Sequence, residues 1–402
     1  MAVSTLVSAL ESVAYCRTFR VAIVTSIHPD FDARIWKHAK CLAARGHVVH
    51  LVCPWRVADG KMLSGVRFHT FARVQSRMAR FIQVPARLLR KLIPILREAD
   101  LVHFHDIDIL PWLSLISAFK PVVYDIHENY PEEMLVRDWI PRRLRKPLSF
   151  AVRCTQLALA RPIRHVVLAV PAQEHDFGGR NFNKIYIKNF ASVALLAGVV
   201  NNYLSRADAV VFTGSHYAEN GSMLLLDIAQ RALTACPGVQ FYTTDRFASP
   251  RFRTRVLSEI EHRGLRNVVL LPYVDPHALM STLNRATIAI LPNLRVWKQI
   301  NAIPTKLFEY MAAGLPVIAS DLPYQTEVIK GNQAGLLARP EDPDSFVAAI
   351  ALLVKDRPRA EKLGRGGQGA FQRQYCWEAQ IGMLESYYAG ILGVETNGWG
   401  ST

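Results

Sequence analysis

The chain has 402 residues, of which 50% are hydrophobic and 20% are charged, and this composition excludes an intrinsically disordered protein. A chain of this length has enough apolar residues for two domains with separate cores. The sequence contains no apolar run of about 20 residues, so we predict no membrane-spanning helix. The formal net charge of +15 predicts an anionic partner surface, either nucleic acid or lipid headgroups.

Six cysteines are spread along the sequence without a CxxC pair. This spacing predicts reduced thiols in a cytoplasmic protein rather than a disulfide framework. Residues 1–19 contain Glu11 and have no basic segment before their apolar part. We therefore interpret them as an N-terminal extension and not as a signal peptide.

The segment from Arg20 to Val52 has the pattern of a buried strand, a polar loop, an amphipathic helix and a second strand, which is typical of a βαβ unit. No GxGxxG sequence follows the first strand, and this counts against a dinucleotide-binding domain. Arg34 lies near the carboxyl end of that strand, where α/β sheets bind ligands, and is a candidate for contacting a phosphate. An arginine on the helix surface is the alternative interpretation.

Positive charge is concentrated in the first half of the chain. Residues 1–195 contain 28 Lys and Arg against 15 Asp and Glu, whereas the remainder contains 20 against 18. Residues 73–97 carry seven basic and no acidic residues, and residues 137–164 carry eight basic residues and one acidic residue. Basic amphipathic segments of this kind bind anionic membrane surfaces, with each Lys or Arg adding about 1 kcal/mol.

Residues 73–97 also fit a solvated helix whose apolar side packs on its own domain. Pro85 and Pro94 count against one long interfacial helix in this segment. The basic segments lack aromatic stacking motifs, so we do not predict a nucleic acid partner.

Two predicted strands end in polar clusters, the first at His103, His105 and Asp106 and the second at His127 and Glu128. Side-chain alternation along a strand directs His103 and His105 to one face and Asp106 to the other, so we predict no metal site. A histidine at a strand end can bind a sugar hydroxyl or a developing charge. A buried structural histidine is the alternative.

The stretch from Asn301 to Ser320 joins a polar loop, a short amphipathic helix and an apolar strand. Pro304 is predicted in the first helical turn with Thr305 as a candidate cap, and Gly314 is predicted to end the helix. The helix start, together with Lys306, favours phosphate, while the carboxylate of Glu309 can accept hydrogen bonds from ribose hydroxyls. A nucleotide diphosphate fits both features, and an exposed salt-linked pair is the alternative.

Leu307, Tyr310 and Met311 recur at helical spacing in this stretch, so we predict that they face a core. The sequence PTKLFEYMAAGLPVIAS resembles the nucleotide-sugar-binding segment of the retaining glycosyltransferases of family four. HPDFDARIW near the amino terminus resembles the same family, and the likeness extends over about residues 20–393.

The resemblance implies an α/β protein with the GT-B fold, in which two Rossmann-like doubly wound domains face each other across a cleft. On this basis we predict an acceptor-side domain at residues 20–195 and a nucleotide-sugar-binding domain at residues 196–370. Residues 371–393 are predicted to form a helix that returns to the first domain.

The resemblance also assigns site residues. Glu309 matches the glutamate that holds the donor ribose, whereas Asn301 replaces a second glutamate of the family by a neutral group. His127 matches the family's active-site histidine. The implied catalytic residues are His127 and Lys306. The implied donor-binding residues are Gly214, Tyr273, Asn301, Thr305, Lys306 and Glu309. The candidates for contacting the acceptor or a phosphate are Arg34, His105 and Glu128.

The function implied by the resemblance is transfer of a sugar, with retained configuration, from a nucleotide diphosphate sugar to a glycan or a lipid-linked acceptor. No cofactor and no metal are expected, and the expected location is the cytoplasm, peripheral on the inner face of the plasma membrane. The alternative from another class is a non-catalytic GT-B scaffold that binds a glycan, a lipid or a partner subunit.

Overall fold

The computed structural model describes residues 17–74, 77–126, 129–136, 140–169, 173–179, 181–200, 203–272 and 279–394. They form two compact units. The first unit holds the chain up to Asn189 together with the chain from Gln380 onward, and the second unit holds Phe190–Ala379. None of the helices in these ranges is long and apolar enough to span a bilayer.

The first unit is built on an eight-stranded sheet with the order β3-β4-β2-β1-β5-β6-β7-β8. All neighbouring strands are parallel except β3 and β4. The strands are β1 (Arg20–Val24), β2 (Val48–Cys53), β3 (Met62–Leu63), β4 (Val66–Thr70), β5 (Leu101–Phe104), β6 (Val122–Ile126), β7 (His165–Leu168) and β8 (Asn183–Tyr186). The helices are α1 (Ala33–Ala44), α2 (Arg77–Ile95), α3 (Leu110–Ile116), α4 (Tyr130–Val136), α5 (Arg142–Ala160) and α6 (Glu174–Phe177).

The second unit is built on a fully parallel sheet with the order β11-β10-β9-β12-β13-β14, the doubly wound order of Rossmann domains. Its strands are β9 (Ala209–Phe212), β10 (Gln240–Thr244), β11 (Val268–Leu271), β12 (Ile288–Leu291), β13 (Val317–Ser320) and β14 (Gly335–Ala338). The helices are α7 (Ser222–Ala235), α8 (Pro250–His262), α9 (Leu279–Leu283), α10 (Trp297–Ile300), α11 (Thr305–Ala312), α12 (Pro323–Asn332), α13 (Pro343–Lys355) and α14 (Arg357–Gln374). Helix α15 (Trp377–Ile391) begins in the second unit and continues into the first.

Helix α2 is continuous although Pro85 and Pro94 both lie inside it, so the prolines do not interrupt this segment. A proline in a helix removes one backbone hydrogen bond. The loss is offset by burial of the apolar face, since Val84, Leu88 and Leu92 lie in the core of the first unit. The apolar side of α2 therefore packs on its own unit, as the alternative interpretation has it.

Helix α11 has the predicted buried face, because Leu307, Tyr310 and Met311 are fully buried. Gly314 follows the helix with φ of 68°, a left-handed conformation that glycine adopts without strain. The start differs from the prediction. Pro304 is the N-cap residue with ψ of 106°, outside the helical region, so Thr305 is the first helical residue and does not act as the cap.

The carboxyl-terminal part of α15 belongs to the first unit and is attached to it by polar contacts. The side chain of Gln380 accepts a hydrogen bond from the backbone N–H of Lys188 at 2.9 Å. The fully buried carboxylate of Glu385 accepts from Nε of Arg45 at 2.6 Å and contacts Nε2 of His47 at 3.0 Å. These contacts hold residues from both ends of the chain in one unit.

Candidate functional site

A cavity of about 230 Å³ lies in the second unit beside the carboxyl ends of β9 and β12. These two strands are neighbours at the point where the strand order of the sheet reverses, which is where doubly wound sheets bind ligands. The cavity is lined by the loop after β9, the loop after β12 and the first turn of α11. Gly214, Thr305 and Lys306 are among the lining residues, so the structure brings three of the predicted donor-binding residues together.

Tyr310 fixes the loop after β9 against α11. Its buried hydroxyl lies 2.9 Å from the backbone nitrogen of Thr213, which donates to it. A side chain at the neighbouring Gly214 would meet the ring of Phe212 at 2.5 Å, so a larger residue there would have to displace this buried ring. The backbone of the loop is thereby held close to the cavity.

The start of α11 has the features of an anion site. Among the described residues, no side chain caps the N-terminal end of α11. The backbone N–H groups of a first helical turn lack partners within the helix, so this end favours a negatively charged group. Nζ of Lys306 lies 2.9 Å from Oε2 of Glu309, and the two side chains are 30% and 17% exposed. This is the salt-linked pair of the alternative interpretation. Partly exposed ion pairs contribute about 0–1 kcal/mol to stability. Lys306 can therefore leave Glu309 and bind a phosphate at a small cost in free energy.

Three amide side chains form a relay along the cavity. Nδ2 of Asn293 donates to Oε1 of Gln299, and Nε2 of Gln299 donates to Oδ1 of Asn220 at 2.9 Å. Nδ2 of Asn220 then donates to the backbone carbonyl of Ser215 at 2.8 Å. All four residues line the cavity. No motif signalled this relay, because its members come from separate segments and carry no charge.

Close backbone contact fixes the relay at its centre. Gly221 has φ of 76°, and a side chain there would meet the carbonyl oxygen of Pro292 at 1.8 Å. The turn that carries Asn220 is thus packed directly on the residue before Asn293. Asn301 is placed differently, because its amide donates to the backbone carbonyl of Trp297 and it does not line the cavity.

In the first unit, a charged cluster occupies the corresponding position at the carboxyl ends of β1 and β5. Nδ1 of His28 lies 3.3 Å from Asp32, and its Nε2 lies 3.2 Å from the buried Asp106. Burial lowers the pKa of His28, but the hydrogen bonds and charges of Asp106 and Asp32 outweigh it and raise this pKa to about 10. His28 is therefore an imidazolium at neutral pH. Two carboxylates surround His28, so its positive charge stabilises the loop after β1 and does not attract an anion.

Arg34 lies in a buried network and not on the helix surface. Its guanidinium binds Asp125 at 2.7 Å and donates to the backbone carbonyl of Ile187 at 3.1 Å. His103 and His105 both contact the same carboxylate, at 3.2 Å and 3.3 Å. The shared face predicted for the two histidines is confirmed. The phosphate or acceptor roles of Arg34 and His105 stay predictions, and a ligand would have to reach them through this packing.

Tyr388 of α15 extends this network. A carboxylate only accepts, so Nε2 of His103 carries the proton toward Asp125, and Nδ1 of His103 accepts from the Tyr388 hydroxyl at 2.7 Å. The same hydroxyl lies 3.1 Å from Nε2 of His38, which donates to it. Burial lowers the pKa of His103 to about 4, so it is neutral at pH 7.

One group of described residues has a spacing that suits a metal ion, because nitrogen atoms of His38, His103 and His105 lie within 4.8 Å of one another. Both ring nitrogens of His103 already have hydrogen-bond partners. The nearby carboxylate of Asp125 is neutralised by Arg34. The contacts therefore favour a hydrogen-bonded network at this position.

His127, Glu128 and Tyr273 lie outside the described residues. Their predicted roles in catalysis, acceptor contact and donor binding stay predictions.

Two family models match the chain. The model for Glycosyltransferase Family 4 matches residues 31–170, and the model for Glycosyl transferases group 1 matches residues 251–369. The second match includes α11 and both Lys306 and Glu309.

Curated proteins and solved structures give a consistent comparison. The phosphatidyl-myo-inositol mannosyltransferase of Mycobacterium tuberculosis is 24% identical over 397 residues, which cover 93% of this chain and 97% of that protein. Sucrose-phosphate synthase from Thermosynechococcus elongatus has a TM-score of 0.70 at 16% identity, covering 93% of this chain and 99% of that one. HepE of Anabaena, solved in complex with UDP and glucose, has a TM-score of 0.69 at 15% identity, covering 92% and 100%. The predicted GT-B fold class is confirmed.

Proposed function

The chain belongs to the retaining glycosyltransferases of family 4, and on that premise we propose that it transfers a hexose from a nucleoside diphosphate donor to a lipid acceptor at an anionic membrane surface. It is a nucleotide-sugar-dependent glycosyltransferase. The cavity as the donor site and the lipid as the acceptor are the proposed parts.

The observation that carries the donor assignment is the meeting of Lys306, the uncapped start of α11 and the Gly214 turn at one cavity. The phosphates of the donor bind the free N–H groups of the helix start and Lys306. Glu309 accepts hydrogen bonds from the ribose hydroxyls once Lys306 turns to the phosphates. When the bond to the sugar breaks, negative charge grows on the leaving diphosphate, and fixed positive charge stabilises it without a metal.

The lipid acceptor is supported by the relatives, which include phosphatidyl-myo-inositol mannosyltransferases from several mycobacteria. It is also supported by the first half of α5. There Leu144, Leu148 and Phe150 are 57%, 36% and 67% exposed. The basic residues exposed beside them are Arg142, Arg143 and Lys146. Exposed apolar and basic side chains on one helix suit an anionic interface.

Helix α2 is the matched comparison for this surface. Its Arg87 donates to the backbone carbonyl of Ala72 at 2.8 Å, and its Lys91 pairs with Asp59 at 2.6 Å. Two basic side chains of α2 therefore already have partners within the first unit. We expect α5 to contribute more to membrane binding than α2.

Donor binding is tested by calorimetry of the purified protein with UDP-, GDP- and ADP-sugars, followed by transfer to phosphatidylinositol in vesicles. We expect one nucleotide class to bind and its sugar to be transferred. Donor binding without hydrolysis or transfer to any acceptor would favour the non-catalytic scaffold. Absence of binding by all three classes would contradict the donor site.

Membrane binding is tested by co-sedimentation with vesicles of graded anionic content at low and high salt. One variant carries Arg142, Arg143 and Lys146 changed to Gln, and the control carries the same change at Arg87, Arg90 and Lys91. We expect the α5 variant to lose more binding than the control, and the wild type to lose binding as salt rises. Equal losses, or a wild type that ignores anionic lipid, would refute the α5 surface.

A further inference from the structure

We infer that Asn293 is a specificity-determining residue for the donor sugar, and that its Oδ1 accepts a hydrogen bond from one hydroxyl of the hexose. This inference rests on the proposed function of the cavity.

The direction of the amide relay is fixed by one backbone group. The carbonyl of Ser215 can only accept, so the NH₂ group of Asn220 must point toward it. Oδ1 of Asn220 then faces Gln299 and requires the NH₂ group of that residue. Oε1 of Gln299 in turn requires the NH₂ group of Asn293. Turning any one amide over would bring two oxygen atoms, or two NH₂ groups, into contact.

One oxygen atom at the end of the relay therefore accepts no hydrogen bond from it. Oδ1 of Asn293 is buried and has no hydrogen-bond partner among the described residues, while the whole residue is only 6% exposed. A buried acceptor without a partner costs about 1–3 kcal/mol. Asn293 lines the cavity, so a small shift of its amide on ligand binding would bring Oδ1 to a hydrogen-bond donor in the cavity.

Oδ1 of Asn293 can only accept a hydrogen bond, and this decides which part of the nucleotide sugar it can bind. A phosphate at neutral pH offers oxygen atoms, which an amide oxygen repels, so Asn293 does not bind the diphosphate. The diphosphate has its own partners in Lys306 and the start of α11. A sugar hydroxyl is a hydrogen-bond donor and fits the position. The neutral amide also places no extra charge beside the diphosphate.

A site built to bind a hydroxyl rejects the analogue that lacks it, because the buried partner is then left without a hydrogen bond. We expect wild-type protein to use one monodeoxy donor about tenfold less well than the parent sugar in kcat/KM. The other monodeoxy donors should show a smaller reduction in kcat/KM. The position that shows the loss identifies the hydroxyl bound by Asn293.

The test is a double-mutant cycle between the protein and the donor. The rate of donor hydrolysis or transfer is measured for the parent nucleotide sugar and for its monodeoxy analogues, with wild type, Asn293→Ala and the control Asn332→Ala. Asn332 is an asparagine of the same unit whose amide donates to the backbone carbonyl of Val328, away from the cavity. We expect Asn293→Ala to erase the discrimination at one position, and Asn332→Ala to keep it.

Affinity for the nucleoside diphosphate alone serves as the folding control. We expect it to stay within about twofold in Asn293→Ala, because this residue contacts only the sugar. Gln299→Ala is the second variant: it removes the group that orients Asn293, and we expect it to weaken the discrimination while nucleoside diphosphate affinity is kept.

Several results would overturn the inference. The first is that the wild type uses every monodeoxy donor equally well. The second is that Asn293→Ala still discriminates between them. The third is that Asn293→Ala loses as much affinity for the nucleoside diphosphate as it loses discrimination. The last result would place Asn293 at the nucleotide. Absence of nucleotide-sugar binding by the wild type would instead refute the proposed function itself.

Discussion

His28 is predicted to make the stability of the first unit fall as pH rises above neutrality. Its pKa rises from 6.5 to about 10 in the folded chain because Asp106 and Asp32 hold the imidazolium. A group whose pKa is higher in the folded state stabilises fully below its unfolded pKa, near pH 6.5. That contribution is lost as pH rises through the folded pKa near 10.

The size of the effect follows from the pKa values. The rise from 6.5 to about 10 corresponds to about 5 kcal/mol, at about 1.4 kcal/mol for each pH unit. The side chain of His28 is 21% exposed, so water screens part of this interaction. We therefore expect the protein to lose about 2–3 kcal/mol of unfolding free energy between pH 7 and pH 9.5 through this residue.

Urea unfolding at pH 7 and pH 9.5 measures this loss, with His28→Gln as the variant. His175→Gln is the control, because His175 is exposed in the same unit. We expect the variant to be less stable than the wild type at pH 7 and to depend less on pH, whereas the control keeps the pH dependence of the wild type. An NMR titration of the histidine rings gives the pKa directly. A His28 ring that titrates near 6.5, or equal pH dependence in wild type and variant, would refute the reasoning.

Three further predictions concern the reaction. Glu309→Gln should weaken donor binding by about 1–3 kcal/mol, because an amide cannot make charge-assisted bonds to the ribose; unchanged affinity in calorimetry would exclude the ribose contact. Lys306→Ala should lower kcat about tenfold or more with an unchanged melting temperature, because it faces charge that develops on the diphosphate; equal activity would leave only the salt-linked pair. His127→Ala should reduce transfer about 10²-fold or more while nucleotide affinity is kept; a matching loss of nucleotide affinity would contradict its placement at the acceptor.

Elements whose structure depends on neighbours in the sequence were predictable. The 3.6-residue period of α11 correctly identified its buried face, and the glycine that ends it has the expected conformation. The fold class followed from strands and helices in alternating order, together with the resemblance. The effect of Pro85 and Pro94 was not predictable, because helix α2 persists through burial in a core formed by residues from most of the first unit.

The site was predictable only where charge or a motif marked it. Lys306 and the Gly214 turn both line the cavity, and the donor-binding role that the resemblance implied for them stays a prediction. The relay from Asn293 to Ser215 could not be predicted from the sequence, since asparagine and glutamine occur on any surface and the contact between Gln299 and Asn220 joins residues 79 apart. The partner of Arg34 could not be predicted either, because Asp125 lies 91 residues away on strand β6.

The attachment of α15 to the first unit has a consequence for the order of folding during synthesis. Domains usually fold from the amino terminus as the ribosome extends the chain. Here the buried Glu385 and Tyr388 complete the polar interior beside β1 and β5, and they follow the whole second unit in the chain. The second unit is fully synthesised before them. We therefore expect the amino-terminal sheet to become protease-resistant only after Tyr388 has left the ribosome, later than the sheet that follows it in the chain.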